Sequence, residues 1–270
     1  MSQYQTPAIV LLVRDYGEAD RLVTFLTPGQ GRLTGIAKHA KKSRRRFPHV
    51  LEPLNRVDFF LSHRPGADLE FIQKGELVDS FPALRRDLKR LGAAAVLAEL
   101  AGLLAGPPEA YAQIFATLEE VLGLLEAGGP PDSLLPAFLL RFLSLGGYGP
   151  RLSPCLHCGL EPTPPLHFSV PRGGVLCRAC SRGAPGPVLP LGLGTWKLLR
   201  LAQGLPRDRL SRLRFPALQR EQSLNIFKAF LRHHLGREMK SWSFWEKVGG
   251  REEAGRQGHR EGPPGGGSYE

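Results

Sequence analysis

All four cysteines of this 270-residue chain fall in two short motifs of the form Cys-x-x-Cys. The first motif runs from Cys155 to Cys158 and the second from Cys177 to Cys180, with eighteen residues between them. Each motif places two sulfur atoms on one tight turn, and two such turns that face each other supply the thiolates of a tetrahedral zinc site. The spacing therefore predicts one structural Zn²⁺ per chain, bound by Cys155, Cys158, Cys177 and Cys180.

Other uses of these cysteines are less consistent with the sequence. Two disulfides would suit a secreted protein, but no secretory signal is visible. Pro154-Cys155-x-x-Cys158 matches half of the zinc-deaminase signature, whose other half is an upstream His-x-Glu. The upstream histidines are followed instead by Ala40-Lys41, Val50-Leu51 and Arg64-Pro65. His157 and His167 remain alternative ligands, although a histidine inside the first motif is expected to lie exposed at the turn.

The composition is strongly basic, with 36 Lys and Arg against 25 Asp and Glu, a net charge of +11 and a pI of about 9.9. A protein this basic usually binds a polyanion, most often nucleic acid. The longest apolar run near the start covers only residues 8–13, which is too short for a membrane span or a signal peptide and favours a β-strand. The chain is therefore expected in the cytoplasm, where a reducing medium keeps thiols free for metal.

Residues 1–80 show the pattern of a small β-barrel. Short apolar runs alternate with turn signals such as Pro28-Gly29-Gln30-Gly31 and Arg64-Pro65-Gly66. The predicted strands are Ala8–Val13, Arg21–Leu26, Arg32–Ala37, Val57–Leu61 and Leu69–Ile72. Five strands in about 80 residues favour an OB-fold, with an SH3-like barrel as the alternative.

The rest of the chain changes to the helical period. Three apolar stripes between residues 81 and 146 predict three helices, and further helices are expected near 192–203 and 216–236. The first stripe places Leu84, Leu88, Leu91, Ala95 and Ala98 on one continuous core-facing side. The cysteine-bearing segment between them is rich in Pro and Gly, which indicates an insertion in a helical domain. The predicted organisation is therefore a nucleic-acid-binding barrel at 1–80, a helical domain at 81–150 and 188–248, a zinc-binding insertion at 151–187 and a disordered tail at 249–270.

A dense basic run lies in the predicted barrel. Seven basic residues and no acidic one occur between positions 32 and 46: Arg32, Lys38, Lys41, Lys42, Arg44, Arg45 and Arg46. Such a block favours phosphate binding with release of counterions. Aromatic residues that could stack on unpaired bases occur nearby at Phe47, Phe59, Phe60 and Phe71, although core packing is the commoner role for phenylalanine. We predict a nucleic-acid-binding surface made of these seven basic residues.

No catalytic motif accompanies this surface. The sequence contains no P-loop, no glycine-rich dinucleotide fingerprint and no pair of carboxylates beside a histidine in an acidic metal site. Four thiolate ligands leave no open coordination position, which argues against a zinc hydrolase. The residues alone therefore predict a non-enzymatic binding protein. An RNA-binding or transcription-associated zinc protein remains an alternative, because OB-folds serve RNA equally well.

The order and spacing of several short motifs resemble the RecO family of bacterial recombination mediators. The matching pieces lie between residues 6 and 248, and they are the runs Ala8–Leu11, Tyr16–Val23, Gly31–Leu33, Ala37-Lys38 and Leu51–Pro53, the two cysteine motifs and Ser241-Trp242. The resemblance implies an OB-fold, a helical domain and an inserted zinc segment. It implies binding of single- and double-stranded DNA, annealing of complementary strands and, with the partner RecR, loading of recombinase onto strands coated by single-stranded-DNA-binding protein. It places Arg32 and Lys38 on the DNA-binding strand and the protein at the nucleoid.

Overall fold

The structure, a computed structural model, describes residues 2–43, 45–104 and 107–257, with side chains up to Val248 in the last helix. The N-terminal part is a closed barrel in the strand order β1-β2-β3-β5-β4. Its strands are β1 (Ser2–Tyr16), β2 (Asp20–Thr27), β3 (Gly31–Ala37), β4 (Arg56–His63) and β5 (Glu70–Asp79). Neighbours are antiparallel except for β3 and β5, which pair in parallel through Gly35 with Glu70 and Ile36 with Phe71. The predicted OB-fold barrel is confirmed.

The barrel closes because alternate side chains of each strand are apolar and point inward. On β4, Val57, Phe59 and Leu61 are fully buried, while the residues between them are half-buried. Phe59 meets Phe25 of β2 edge to face, with 4.9 Å between ring centroids. This alternation is the pattern that the sequence shows, so the strands can be recognised without tertiary information.

Helices form the second part of the protein. They are α1 (Pro82–Arg86), α2 (Leu88–Leu103), α3 (Pro108–Glu126), α4 (Pro131–Leu145), α5 (Arg178–Ser181), α6 (Leu193–Gly204), α7 (Ala217–Leu235) and α8 (Lys240–Gln257), with a 3-10 turn at Arg207–Arg212. Helix α2 is the centre of this bundle, since it packs against α1, α3, α4 and α8. Ile9 and Leu26 on the outside of the barrel join the same apolar core.

The first helical stripe divides in two, contrary to its reading as one continuous face. Asp87 is extended and its carboxylate caps α2 by accepting from the backbone N–H groups of Lys89 and Arg90. Leu88, expected in the core, is 51% exposed because it falls on the first turn of the new helix. The face of α2 that packs in the core is instead formed by Ala93, Val96, Leu97, Leu100 and Ala101.

The cysteine-bearing segment contributes two strands to a small sheet in the order β7-β6-β8, namely β6 (Leu166–Ser169) and β7 (Gly174–Cys177). The third strand, β8 (Val188–Leu191), begins just after the predicted end of the segment at residue 187. The inner residues of this sheet, such as Phe168 and Val175, belong to the same core as the helices. At the other end of the chain, α8 continues to Gln257 and so passes the boundary at Gly249 where the sequence predicts a disordered tail. Residues 258–270 of that tail lie outside the described part of the chain. Among the described residues, no helix is long and apolar enough to cross a membrane.

Candidate nucleic-acid interface and metal centre

The two cysteine motifs meet at one point. The four Sγ atoms all lie within 4.8 Å of one another, with Cys155 buried, Cys158 exposed, and Cys177 and Cys180 half-buried. A tetrahedral ion with metal–sulfur bonds of about 2.3 Å would hold its ligand sulfurs about 3.8 Å apart, so the cluster fits such an ion. The four cysteines are therefore close enough to hold a metal ion.

Local structure brings each motif into position. The first is a tight turn in which Cys155 N donates to Leu160 O, and Gly159 follows Cys158 with a φ of +73° that favours glycine. The second begins at the end of β7 and continues into α5. Leu156 N donates to Val175 O, which ties the first turn to β7 and so joins the two motifs.

The surroundings of Cys155 favour the ionised, thiolate form of its side chain. Burial opposes the charged form of Cys155, but the backbone N–H groups of Cys158, His157 and Cys177 donate to its sulfur and lower its pKa to about 6. The pKa of Cys180 is raised to about 12, mainly by a hydrogen bond between its side chain and that of Cys177. His157 is exposed at the turn, as expected, and the cluster of potential metal ligands among the described residues contains no histidine, so His167 lies outside it.

The basic run lies mainly in the connection between β3 and β4, and this connection is firmly packed. Ala40, Phe47, Val50 and Leu51 are buried against the barrel core. Gly75 N of β5 donates to Arg46 O at 3.1 Å, which holds the connection against the barrel. The charged side chains of residues 38–43 and 45–46, which we call the basic segment, are therefore carried by an anchored backbone.

The structure divides the predicted DNA-binding residues into two groups. Three of them are engaged: Arg32 donates to Gly102 O, Lys41 contacts Asp15 and Gly17 O, and Arg46 donates to Lys38 O. The other group comprises Lys38, Lys42 and Arg45, which are exposed and make no side-chain ion pair or hydrogen bond within the described residues. Arg44 lies outside the described part of the chain.

The barrel aromatics take different positions. Phe47 and Phe59 are buried and belong to the barrel core, so they cannot meet a ligand. Phe60 and Phe71 are half-buried on the outer face, and the Lys74 ammonium lies 3.8 Å from the centroid of the Phe60 ring. The most exposed aromatic of the barrel among the described residues is Tyr16, at 53%. In the sequence Tyr16-Gly17 marks only a break between strands. Counting by twos from the buried Ala8 and Val10 would place Tyr16 inward, because the sequence gives no sign of the register shift between Val10 and Leu12.

A second basic region follows the cysteine segment, with 12 basic and 4 acidic residues between positions 188 and 248. Much of this charge is paired with acids: Arg200 with Glu161, Arg207 with Glu120, Arg220 with Asp132, Lys228 with Glu246 and Arg232 with Glu238. Lys197, Arg209 and Arg212 are exposed without an ion pair among the described residues. The effective charge of this region is thus smaller than its composition suggests.

An open cleft of about 890 Å³ separates the outer face of the barrel from helix α2. Leu12, Thr24 and Thr34 line the barrel side, and Leu91 and Ala98 line the helix side. Arg14, Arg32, Arg85, Arg237 and Lys240 stand around it, together with two acids, Glu99 and Glu238. Apolar walls with a mainly basic rim suit a ligand that is anionic at one edge and apolar at the other.

Two family models match the chain in succession. The model described as "Recombination protein O N terminal" matches residues 1–81, and the one described as "Recombination protein O C terminal" matches residues 85–243. The two regions correspond to the barrel and to the helical part with its cysteine segment.

Curated proteins named "DNA repair protein RecO" match over nearly their whole length. The protein of Anaeromyxobacter sp. (strain K) is 38% identical over 251 residues, which cover 92% of this chain and 98% of that protein. The Pelotomaculum thermopropionicum protein is 35% identical over 249 residues, covering 92% and 96%. The Syntrophus aciditrophicus protein is 32% identical over 248 residues, covering 91% and 96%. The chain therefore belongs to the RecO family of DNA repair proteins.

Proposed function

We propose that this protein binds single- and double-stranded DNA, anneals complementary strands and helps to load recombinase in recombinational repair, together with RecR and on strands coated by single-stranded-DNA-binding protein. Membership of a DNA repair family supports the DNA-directed role. We further propose that it works by binding alone, without catalysis, and in the cytoplasm at the nucleoid. The division into a barrel at 1–80, a helical domain and an insertion at 151–187 remains our proposal for the domain boundaries.

The observation that carries this proposal is the set of free cations on an anchored backbone. Lys38, Lys42 and Arg45 are exposed beside an OB-fold barrel, and the segment that bears them is packed against the barrel core. Because their charges are not neutralised by nearby acids, they can replace the counterions that surround phosphates, and the released ions supply the free energy of binding. A rigid backbone avoids the entropy cost of ordering a mobile loop.

The same electrostatics can promote annealing. Two complementary strands repel each other through their phosphates, and a surface that neutralises both lets them approach closely enough to test base pairing. Lys197, Arg209 and Arg212 offer a second group of exposed cations in the helical part. We propose that the basic segment holds one strand and that this second group contributes to holding the other.

Strand annealing without ATP, followed over a range of salt concentrations, tests the proposal. Two labelled complementary strands are mixed with the protein, and pairing is followed by energy transfer between the labels. We expect acceleration at low salt that fades as salt rises. Clear DNA binding without acceleration at any salt concentration would refute the annealing role. Tighter binding to an RNA strand of equal length would favour RNA as the ligand instead.

We also propose that the cysteine cluster binds one structural Zn²⁺. Four thiolates fill a tetrahedral shell, so the ion would join the first turn to the end of β7 and stabilise the segment rather than activate water. Cys177→Ser should lower zinc content and increase proteolysis within 151–187, with the barrel still folded. His157→Ala is the matched control, because His157 is exposed inside the same motif. Equal zinc content and equal proteolysis in Cys177→Ser and the unmodified protein would contradict the site.

A further inference from the structure

One outer face of the barrel carries exposed apolar side chains next to the cleft beside α2. After the bulge between Val10 and Leu12, the outward residues of β1 are Leu12, Arg14 and Tyr16. Leu12 is 42% exposed and Tyr16 is 53% exposed. Exposed apolar side chains that cluster on a sheet face commonly mark a binding surface.

The strand register extends this face across the sheet. Leu12 is opposite Thr24, and Thr24 is opposite Thr34, with their two hydroxyl oxygens 3.4 Å apart on the same side. One row further along, Arg14 is opposite Leu22, and Leu22 is opposite Ile36, which pairs with Phe71. The half-buried side chains Leu22, Ile36 and Phe71 therefore join Leu12 and Tyr16 in one apolar surface.

Tyr16 stands next to the basic segment. It pairs with Asp20 on β2, and the Asp20 carboxylate accepts a hydrogen bond of 2.7 Å from the backbone N–H of His39. Lys41 reaches the same hairpin turn through Gly17 O. The aromatic ring and the phosphate-binding cations are thus carried by neighbouring elements that hydrogen bonds hold in register.

The charges around Tyr16 indicate which part of a nucleic acid it meets. Asp15, Glu18 and Asp20 surround the turn. Two cations contact Asp15, but three carboxylates outnumber them, so the turn keeps a net negative charge that repels phosphates. Arg14 and Lys38, in contrast, lie exposed to either side of this acidic point. A strand whose phosphates contact these cations would present its bases, and not its backbone, to the ring of Tyr16.

We propose that Tyr16 is a stacking platform for an unpaired base, with Arg14 and Leu12 continuing the path of the single strand toward the cleft beside α2. The proposal rests on the proposed DNA-binding function, and it names the residue by which the protein distinguishes single strands from duplex DNA. Bases of a duplex are stacked on each other and cannot lie on an aromatic side chain, whereas unpaired bases of any sequence can.

Fluorescence anisotropy with three labelled probes tests this assignment. The probes are a polythymidine strand, a sugar-phosphate strand of the same length without bases, and a duplex. Tyr16→Ala should weaken binding of the polythymidine strand by roughly five- to 150-fold, since stacking contributes about 1–3 kcal/mol per base. Binding of the baseless strand and of the duplex should stay unchanged, as should the slope of affinity against salt for polythymidine.

Two further variants separate stacking from folding. Tyr16→Phe keeps the ring and should bind polythymidine within about twofold of the unmodified protein. Leu88→Ala removes an exposed apolar side chain on α2 and should change nothing. Unchanged polythymidine binding in Tyr16→Ala would overturn the proposal, and so would an equal loss for all three probes. If the unmodified protein bound none of the probes, the proposed DNA-binding function itself would fail, which is a distinct result.

Discussion

Lys42 and Arg45 are exposed and make no side-chain ion pair among the described residues, and two acids of the neighbouring β1–β2 hairpin already have partners. Asp15 contacts Arg21 and Lys41, and Asp20 accepts from His39 N. The neighbouring Arg46 donates to Lys38 O and lies over Phe47, so it supports the segment instead of facing a ligand. The basic run thus divides into residues that hold the segment and residues that are free to bind.

The double variant Lys42→Ala with Arg45→Ala tests this division. It should weaken DNA binding for all sequences alike and reduce the steepness of the salt dependence by about 1.4, since each contact to a single strand contributes about 0.7. The matched control is Arg200→Ala with Arg232→Ala, which removes two charges that are paired with Glu161 and Glu238. A salt slope that changed equally in both double variants would show that only net charge matters.

The ionisation of Tyr4, on β1 of the barrel, should make the stability of the fold depend on pH. Burial, with the nearby Glu70 carboxylate as the next cause, raises its pKa from 10.0 to about 12. Glu70 is itself 7% exposed and lies 2.8 Å from His63 Nδ1. Because the folded pKa lies above the unfolded value, the stability that this group contributes is complete below about pH 10 and is lost between pH 10 and 12.

Alkaline titration followed by tyrosinate absorbance measures this effect. We expect Tyr4→Phe to remove the component that titrates near pH 12 and to reduce the loss of stability between pH 10 and 12. Tyr16→Phe is the control, because Tyr16 is exposed and its removal should leave that component in place. A Tyr4 component that titrates near pH 10 would contradict the prediction.

At the scale of elements, closure of the barrel depends on the parallel contact between β3 and β5. Gly35 permits it, because a Cβ at that position would lie 2.8 Å from Ile72 Cγ1 and 3.1 Å from Glu70 O. We expect Gly35→Ala to destabilise the barrel by about 1–3 kcal/mol through overpacking. Urea denaturation measures the change. Gly29→Ala is the control, since nothing lies within 4 Å of the added methyl group, and an equal loss in both variants would argue against the closure contact.

Elements with a strong local pattern could be recognised from the sequence. The alternation of Val57, Phe59 and Leu61 identifies β4, and the long stripe of α3 identifies that helix. The break between α1 and α2 was missed, because Asp87 acts through a capping geometry that apolar periodicity does not report. The three short strands β6, β7 and β8 were also missed, since four-residue strands carry too little pattern.

At the scale of the whole molecule, the N-terminus of α8 is attached to the helical bundle by a carboxylate of α2, which is far away in the sequence. The Glu99 carboxylate on α2 accepts from the backbone N–H groups of Lys240 and Ser241 at 3.0 and 2.8 Å, and from Ser241 Oγ. Further along α8, Trp245 and Val248 pack against Gly92 of α2. A carboxylate that satisfies helix N-terminal N–H groups also stabilises the positive end of the helix dipole.

Glu99→Ala should therefore loosen α8 and lower the free energy of unfolding by about 1–3 kcal/mol. The buried indoles of Trp242 and Trp245 report the change by fluorescence during denaturation. Glu221→Ala, at an exposed site on α7, is the matched control and should cost less than about 0.5 kcal/mol. Two results would contradict this role of Glu99. One is a tryptophan fluorescence transition at lower denaturant concentration in Glu221→Ala, and the other is an unchanged transition in Glu99→Ala.

The sequence by itself determined the features that depend on residues close together in the chain: the spacing of the two cysteine motifs, the strand and helix periods and the block of basic charge. Tertiary structure decided which charges are free, because Arg32 and Lys41 find their partners on other elements of the fold. It also decided that Tyr16 is exposed while Phe59 is buried, and that Glu99 caps a helix 141 residues away. Such contacts join distant parts of the chain, so no local pattern records them.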